Sequence, residues 1–338
     1  VTISENIDVS NYLHRDKPFW NAIAIILTIV GYVGGITLLI VPYIALRALG
    51  IVILTYSLLL SAYLSHEFMH GSIFKKRSWN VAFGKIMLWL NGGCYYGFET
   101  LTLLHIAHHV DRADIISFDI PKAIKQQRPI IRQSILALEW LYFPATAFWS
   151  RWQWITAPWW NPELSQQRLG RLMMMAIRGG LFVILGIISP KALLLYFLSY
   201  IGMITVLRWM DAFQHTYEGF PSGTKLPKRD RVHEQINTFS TLFSQRYSWL
   251  NLLLLNFGYH NAHHAVMKCP WHSLHELNQE LSKDENVRYV SLREQLINYH
   301  QFRIIRLIKG QGEAVDSNGN PTFSEFYGAI DVSFLTVY

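Results

Sequence analysis

Four stretches of this 338-residue chain are long, apolar and nearly free of charge. Residues 19–41 carry no charged side chain and residues 43–65 carry only Arg47, while residues 172–189 contain Arg178 and residues 192–210 contain Arg208. Each run is about the 20 residues that an α-helix needs to cross a bilayer core. Pro42 divides the first pair, and Pro190 with Lys191 divides the second. The pattern therefore predicts an all-α integral membrane protein whose four transmembrane helices form two hairpins. Arg47, Arg178 and Arg208 are expected to snorkel toward the interface, which is far cheaper than a charge at the bilayer centre.

Two other largely apolar stretches, residues 81–104 and 249–259, are too broken or too short to span; Asn91, Gly92 and Gly93 interrupt the first. They read as helices in the interface. The segment 140–160, with Trp149, Trp152, Trp154 and Trp159, has the aromatic bias of that layer. At 51% hydrophobic and 16% charged, the composition excludes an ordinary soluble domain.

Two hairpins put both termini, the segment between the hairpins and the C-terminal third on one side. That side holds Lys75, Lys76, Arg77, Arg112 and the basic stretches 122–132 and 225–231, so the positive-inside rule makes it cytoplasmic. Topology thus accounts for the net charge of +7, and no nucleic-acid motif accompanies it. The first apolar run is of spanning length with no small-residue cleavage site behind it, so it reads as a retained membrane helix. Cys94 and Cys269 read as reduced thiols. Residues 1–275 are expected to form one membrane domain, with a cap built from 66–171 and 211–275. Residues 276–338 are expected to be a cytoplasmic extension: a helix within 287–309, then a loosely ordered polar tail without chemistry of its own.

The chemistry lies in histidine spacing. Of 14 histidines, His66 and His70 stand in HEFMH, His105, His108 and His109 in HIAHH, His260, His263 and His264 in HNAHH, and His215 in QHTYE. Spacings of i, i+3 and i+4 gather a box on one helix face, so the boxes can point at a common centre. His66 and His70 follow directly on the second apolar run, and His215 closely on the fourth, so all nine can reach one membrane face. HEFMH also matches HExxH, in which glutamate is the base of a zinc protease. That site needs one further ligand and has no use for six more histidines. Haem ligation or transport would place polar ligands within the spanning runs, and those runs contain no histidine. One metal takes roughly four to six ligands, so nine imply two ions close together, and redox chemistry favours iron over zinc.

The ordered set HEFMH, HIAHH, QHTYE and HNAHH resembles the membrane fatty acid desaturase superfamily, which includes acyl desaturases, hydroxylases, carotenoid hydroxylases and ketolases, and alkene-forming decarboxylases. The resemblance implies interfacial helices and a cytoplasmic helical cap holding a non-haem diiron centre, with O2 as co-substrate. It makes His66, His70, His105, His108, His109, His215, His260, His263 and His264 iron ligands. Asp211, four residues before His215, is an additional candidate for direct ligation or for orienting that ring. Glu67, Asp111, Asp114 and Glu218 stand near box histidines and are candidates to accept their remaining N–H groups. His14, His233 and His300 read as surface residues, and His272 and His275 as interface packing or headgroup contacts.

The resemblance further implies a fatty acyl or lipid substrate and an external electron donor, a ferredoxin or cytochrome b5-like protein, since the sequence shows no fused haem or flavin domain. Desaturation is the expected outcome; hydroxylation or loss of CO2 to give a terminal alkene follows, and carotenoid oxidation comes third.

Overall fold

The computed structural model describes residues 9–13, 17–116, 118–221, 223–283, 287–314 and 322–330. His14 and the tail residues 315–321 and 331–338 lie outside that set. The protein is mostly helical. Four helices are long and apolar enough to cross a membrane: Pro18–Ile40, Ile44–His70, Pro162–Ile188 and Pro190–Asp211.

Helix α1 (Pro18–Ile40) begins on a proline, whose missing N–H costs nothing in the first turn. Helix α2 (Ile44–His70) runs unbroken from the apolar stretch through the HEFMH box. It stops at Gly71, whose φ of +67° lets the following amides close back on the carbonyls of Phe68 and Glu67. Small residues let α1 and α2 touch: a Cβ on Gly35 would stand 2.9 Å from the Cβ of Leu54, and one on Gly50 2.9 Å from that of Leu38.

Helices α3 (Arg77–Asn91) and α4 (Phe98–Asp111) follow, separated by Gly92 at φ +80° and a single 3-10 turn. Strand β1 (Asp114–Ile116) leads to α5 (Ile120–Gln126), α6 (Pro129–Trp140) and α7 (Ala145–Trp160). Helix α8 (Arg168–Ile188) has its spanning window only 11% buried and exposes Leu181, Val183, Ile184 and Ile187. Such a face suits lipid, not water. Helix α9 (Pro190–Asp211), capped by Ser189, packs on α2, where the Thr55 hydroxyl donates to the Ser199 carbonyl at 3.3 Å.

Two of the arginines expected to snorkel do not. Arg178 is buried, donates to the Trp89 carbonyl, and lies over the rings of Trp89 and Phe182 at 5.4 and 5.7 Å. Arg208 is buried against the Glu139 carboxylate at 3.0 Å, which also accepts from the Thr146 amide and hydroxyl. The segments 89–95 and 139–146 cover these positions, so protein groups satisfy the charge that headgroups were expected to meet.

The rest is short. Strand β2 (Gly219–Pro221) pairs in parallel with β1, and α10 (Arg231–Ile236), α11 (His260–Ala265) and α12 (Leu274–Ser282) surround the third box. Within residues 249–259, read as an interfacial helix, a 3-10 helix over Ser248–Leu254 ends in left-handed Leu255 and Asn256. The Asn251 side chain accepts from the amides of Phe243 and Ser244 and donates to the Ser244 carbonyl, which ties this segment to the turn before it. Helix α13 (Leu292–Gln301) starts on a Ser291/Glu294 capping box, and α14 (Ile305–Lys309) follows. The described part of the tail is packed, not loose: Phe326 is fully buried against Phe213 and Phe239, and the Ala329 amide donates to the Ala212 carbonyl at 2.7 Å. Neither Cys94 nor Cys269 is in a disulfide.

Candidate metal centre

The last turn of α2 sets His66 and His70 with their Nε2 atoms 3.2 Å apart. The last two turns of α4 carry the second box, and that helix ends at left-handed Arg112 directly beyond it. His215 sits where the chain leaves α9, in an isolated antiparallel bridge to Thr238. The six-residue α11 holds the third box. All nine histidines are buried.

They form two clusters rather than a single centre. His66, His70, His105, His109 and His263 offer ring nitrogens all within 4.8 Å of one another, and so do His108, His215 and His264. His260 joins the second, its Nε2 lying 2.7 Å from that of His215. Adjacent residues divide between the clusters, His108 from His109 and His263 from His264. Neighbours on a helix point about 100° apart, so one short box can face two points at once.

The nitrogens of the first cluster suit a metal better than each other. Nε2 of His70 lies 2.8 Å from that of His105, His105 lies 3.1 Å from His109, and His109 lies 3.1 Å from His263. A neutral ring nitrogen has one N–H or one lone pair, so five atoms can make at most two of these contacts into hydrogen bonds. Ligands about 2.1 Å from one ion stand roughly 3.0 Å apart across a right angle, and that spacing recurs here. In the second cluster, Nε2 of His264 is buried without a hydrogen bond.

Electrostatics keep the lone pairs available. Burial, reinforced by neighbouring imidazoles, holds His105, His109, His215, His260 and His264 well below the usual histidine range, and burial with His108 nearby takes His263 down to about 3. These rings are neutral at physiological pH, the form that binds metal.

Outer partners gather on the second cluster. Nδ1 of His108 lies 2.8 Å from the Asp114 carboxylate, Nδ1 of His264 lies 3.2 Å from Glu234, and Nδ1 of His215 lies 3.4 Å from the Thr238 hydroxyl. Arg112 pairs with the other oxygen of Glu234 at 3.1 Å. Asn261 in turn donates to the Thr238 carbonyl at 2.8 Å. The Tyr217 ring stacks on His215 with centroids 4.3 Å apart.

Asp114 therefore sits where the sequence placed it, whereas the other candidates differ. Glu67 is 3.4 Å from His66, but its carboxylate chiefly accepts from the Ser72 hydroxyl and the Trp271 amide, at 2.7 and 3.1 Å. It ties α2 to the segment after the third box, which leaves it poorly placed for a protease base. Glu218 pairs with Arg229 at 2.8 Å, on the surface. Asp111 makes no hydrogen bond to a box histidine. Asp211 is buried at the end of α9, and its carboxylate belongs to neither cluster. His233, His272, His275 and His300 also stand outside both; His275 contacts Tyr259, and His300 contacts Tyr142.

Glu234 and Thr238 escaped the sequence reading because nothing in RVHEQI or NTFST repeats the box spacing. The one signal was an acid beside a histidine, His233, that itself points elsewhere.

A family described as fatty acid desaturase matches residues 42–294, about three-quarters of the chain and every histidine of both clusters. No curated protein matches the sequence. With that match, the chain belongs to the fatty acid desaturase family.

Proposed function

We propose that this chain is an oxygen-dependent fatty acyl desaturase, and that its two histidine clusters each hold one iron. The observation that carries the reading is the pair of adjoining, buried imidazole clusters at the ends of apolar helices, within the region matching the desaturase family. On this reading His66, His70, His105, His109 and His263 hold one ion, and His108, His215, His260 and His264 hold the other. When bound, a reduced iron pair supplies activation of O2 against an unreactive C–H bond.

The chain's own groups have distinct tasks. Asp114 and Glu234 hold protons at Nδ1 of His108 and His264, which directs the Nε2 lone pairs inward. Arg112 balances the charge of Glu234. Phe257, with centroid 4.9 Å from His66 and 4.5 Å from Tyr63, walls the first cluster with apolar surface and excludes water. We further propose two membrane hairpins with the cluster side and both described ends in the cytoplasm, and a separate protein as electron donor, a ferredoxin or cytochrome b5-like carrier.

The test is gas chromatography of lipids and headspace volatiles from a host producing the chain with a reductant. A shifted double-bond profile supports desaturation; a hydroxy acid, or an alkene one carbon shorter, would reassign the reaction within the family. Purified protein should carry about two irons per chain, and one zinc without iron would sink the diiron reading.

A further inference from the structure

Away from the histidines, three segments of the chain meet around a small, partly open cavity of about 10 Å3 lined by Glu139, Tyr142, Thr205, Arg208, Tyr299, Arg303 and Arg306. Glu139 and Tyr142 come from the end of α6 and its turn, Thr205 and Arg208 from α9, and Tyr299, Arg303 and Arg306 from α13 and α14. Among the described residues of the lining, three guanidiniums thus face one carboxylate, that of Glu139, a net charge of +2.

Two of the three guanidiniums, Arg208 and Arg306, are buried, and Arg303 is half-buried. Arg306 is only 2% exposed; burial draws its pKa down to about 10, which leaves it charged at neutral pH. Its Nε and one terminal nitrogen donate to the carbonyls of Phe302 and Tyr299, and its Nη1 makes no hydrogen bond. Arg208 and Glu139 are 7% and 6% exposed, and one carboxylate oxygen of Glu139 is occupied by Thr146. Arg303 is held in place by the Trp140 and His300 carbonyls and by the Trp140 ring at 5.0 Å. Arg306 lies over the Tyr299 ring at 4.3 Å, but a buried guanidinium with an unmade hydrogen bond is still costly, so such a site suits an anion. The volume admits roughly one water or one monatomic ion, which is too small for phosphate or a lipid headgroup.

We propose that this cavity is a halide site, occupied by chloride, which fastens α13 and α14 to α6 and α9. The ion completes the donor set of Arg306 and the hydroxyl lining and neutralises half of the excess charge. Because α9 leads into His215, and the residues after α14 hydrogen-bond Tyr217 and Ala212, the site stiffens the support behind the second cluster.

The experiment uses the full chain in detergent, prepared in gluconate and titrated with sodium chloride or bromide, following the thermal unfolding midpoint. The expected result is a saturable rise with either halide, none with gluconate at equal ionic strength, and affinity weakened on the order of tenfold or more in Arg303→Gln, which removes one charged donor. Crystals of the unaltered chain soaked in bromide should show an anomalous peak between Arg208 and Arg306, a readout that does not depend on any variant folding. Equal midpoints in halide and gluconate, or water alone in the cavity after the bromide soak, would overturn the proposal.

Discussion

The two histidine clusters contain the same chemical group but are held by different means. In the first, four of five members come from i, i+4 pairs on long helices, His66 with His70 and His105 with His109, and their orientation follows from helix geometry. Its surroundings are apolar, with Phe257 against His66. In the second, His108, His215 and His264 arrive from three different segments, and each is steadied by its own polar partner, Asp114, Thr238 or Glu234. Helices α2 and α4 therefore aim four rings of the first cluster through their own geometry, whereas three rings of the second each carry an outer polar partner. The second cluster should be the more sensitive to substitutions that touch no proposed ligand.

The sharpest way to break the comparison is to remove one ring from each side. His263→Ala and His264→Ala should both abolish turnover, a loss on the order of a thousandfold or more, and each should lower bound iron by about one per chain while leaving membrane insertion intact. Retained turnover in either variant would remove that residue from the proposed ligand set. Next come the outer acids: Asp114→Asn and Glu234→Gln should lower metal affinity or activity about 10–100-fold. Unchanged iron affinity in both would mean that the second cluster does not depend on these partners.

Thr238→Val should have a smaller effect, about fivefold in activity, since its neutral contact to His215 is worth about 1 kcal/mol and its other contact, at 3.2 Å, is to the Tyr217 hydroxyl and not to a proposed ligand. A loss as large as that of His215→Ala would give Thr238 a larger role than aiming one ring. The smallest effect on iron content is expected from Asp211→Asn, because its carboxylate lies outside both clusters. Iron loss equal to that of His215→Ala would instead argue for direct ligation.

Much of the fold could be read locally. The four apolar runs became four long helices, because a run of that length without charge has few other ways to satisfy its backbone. The ring-bearing residues could be read too, since box spacing is a property of the helix itself. The fates of Arg178 and Arg208 were not legible. Whether an arginine meets a headgroup or a buried carboxylate depends on Glu139 and Trp89, which lie 69 and 89 residues away along the chain. Within residues 249–259 the helical expectation holds only as a 3-10 helix that stops at left-handed Leu255 and Asn256, an ending that the apolar pattern does not mark.

By itself, the sequence determined which residues could bind metal and that they would sit at the ends of apolar helices, since periodicity and hydropathy act over a few turns. The tertiary structure alone decided that nine histidines divide into two clusters, that Glu234 and Thr238 stand behind the second, and that Glu67 links α2 to the segment after the third box. The physical reason is one of range. Helix geometry sets the angle between neighbouring rings, but the point on which rings from four separate segments converge exists only after those segments have packed.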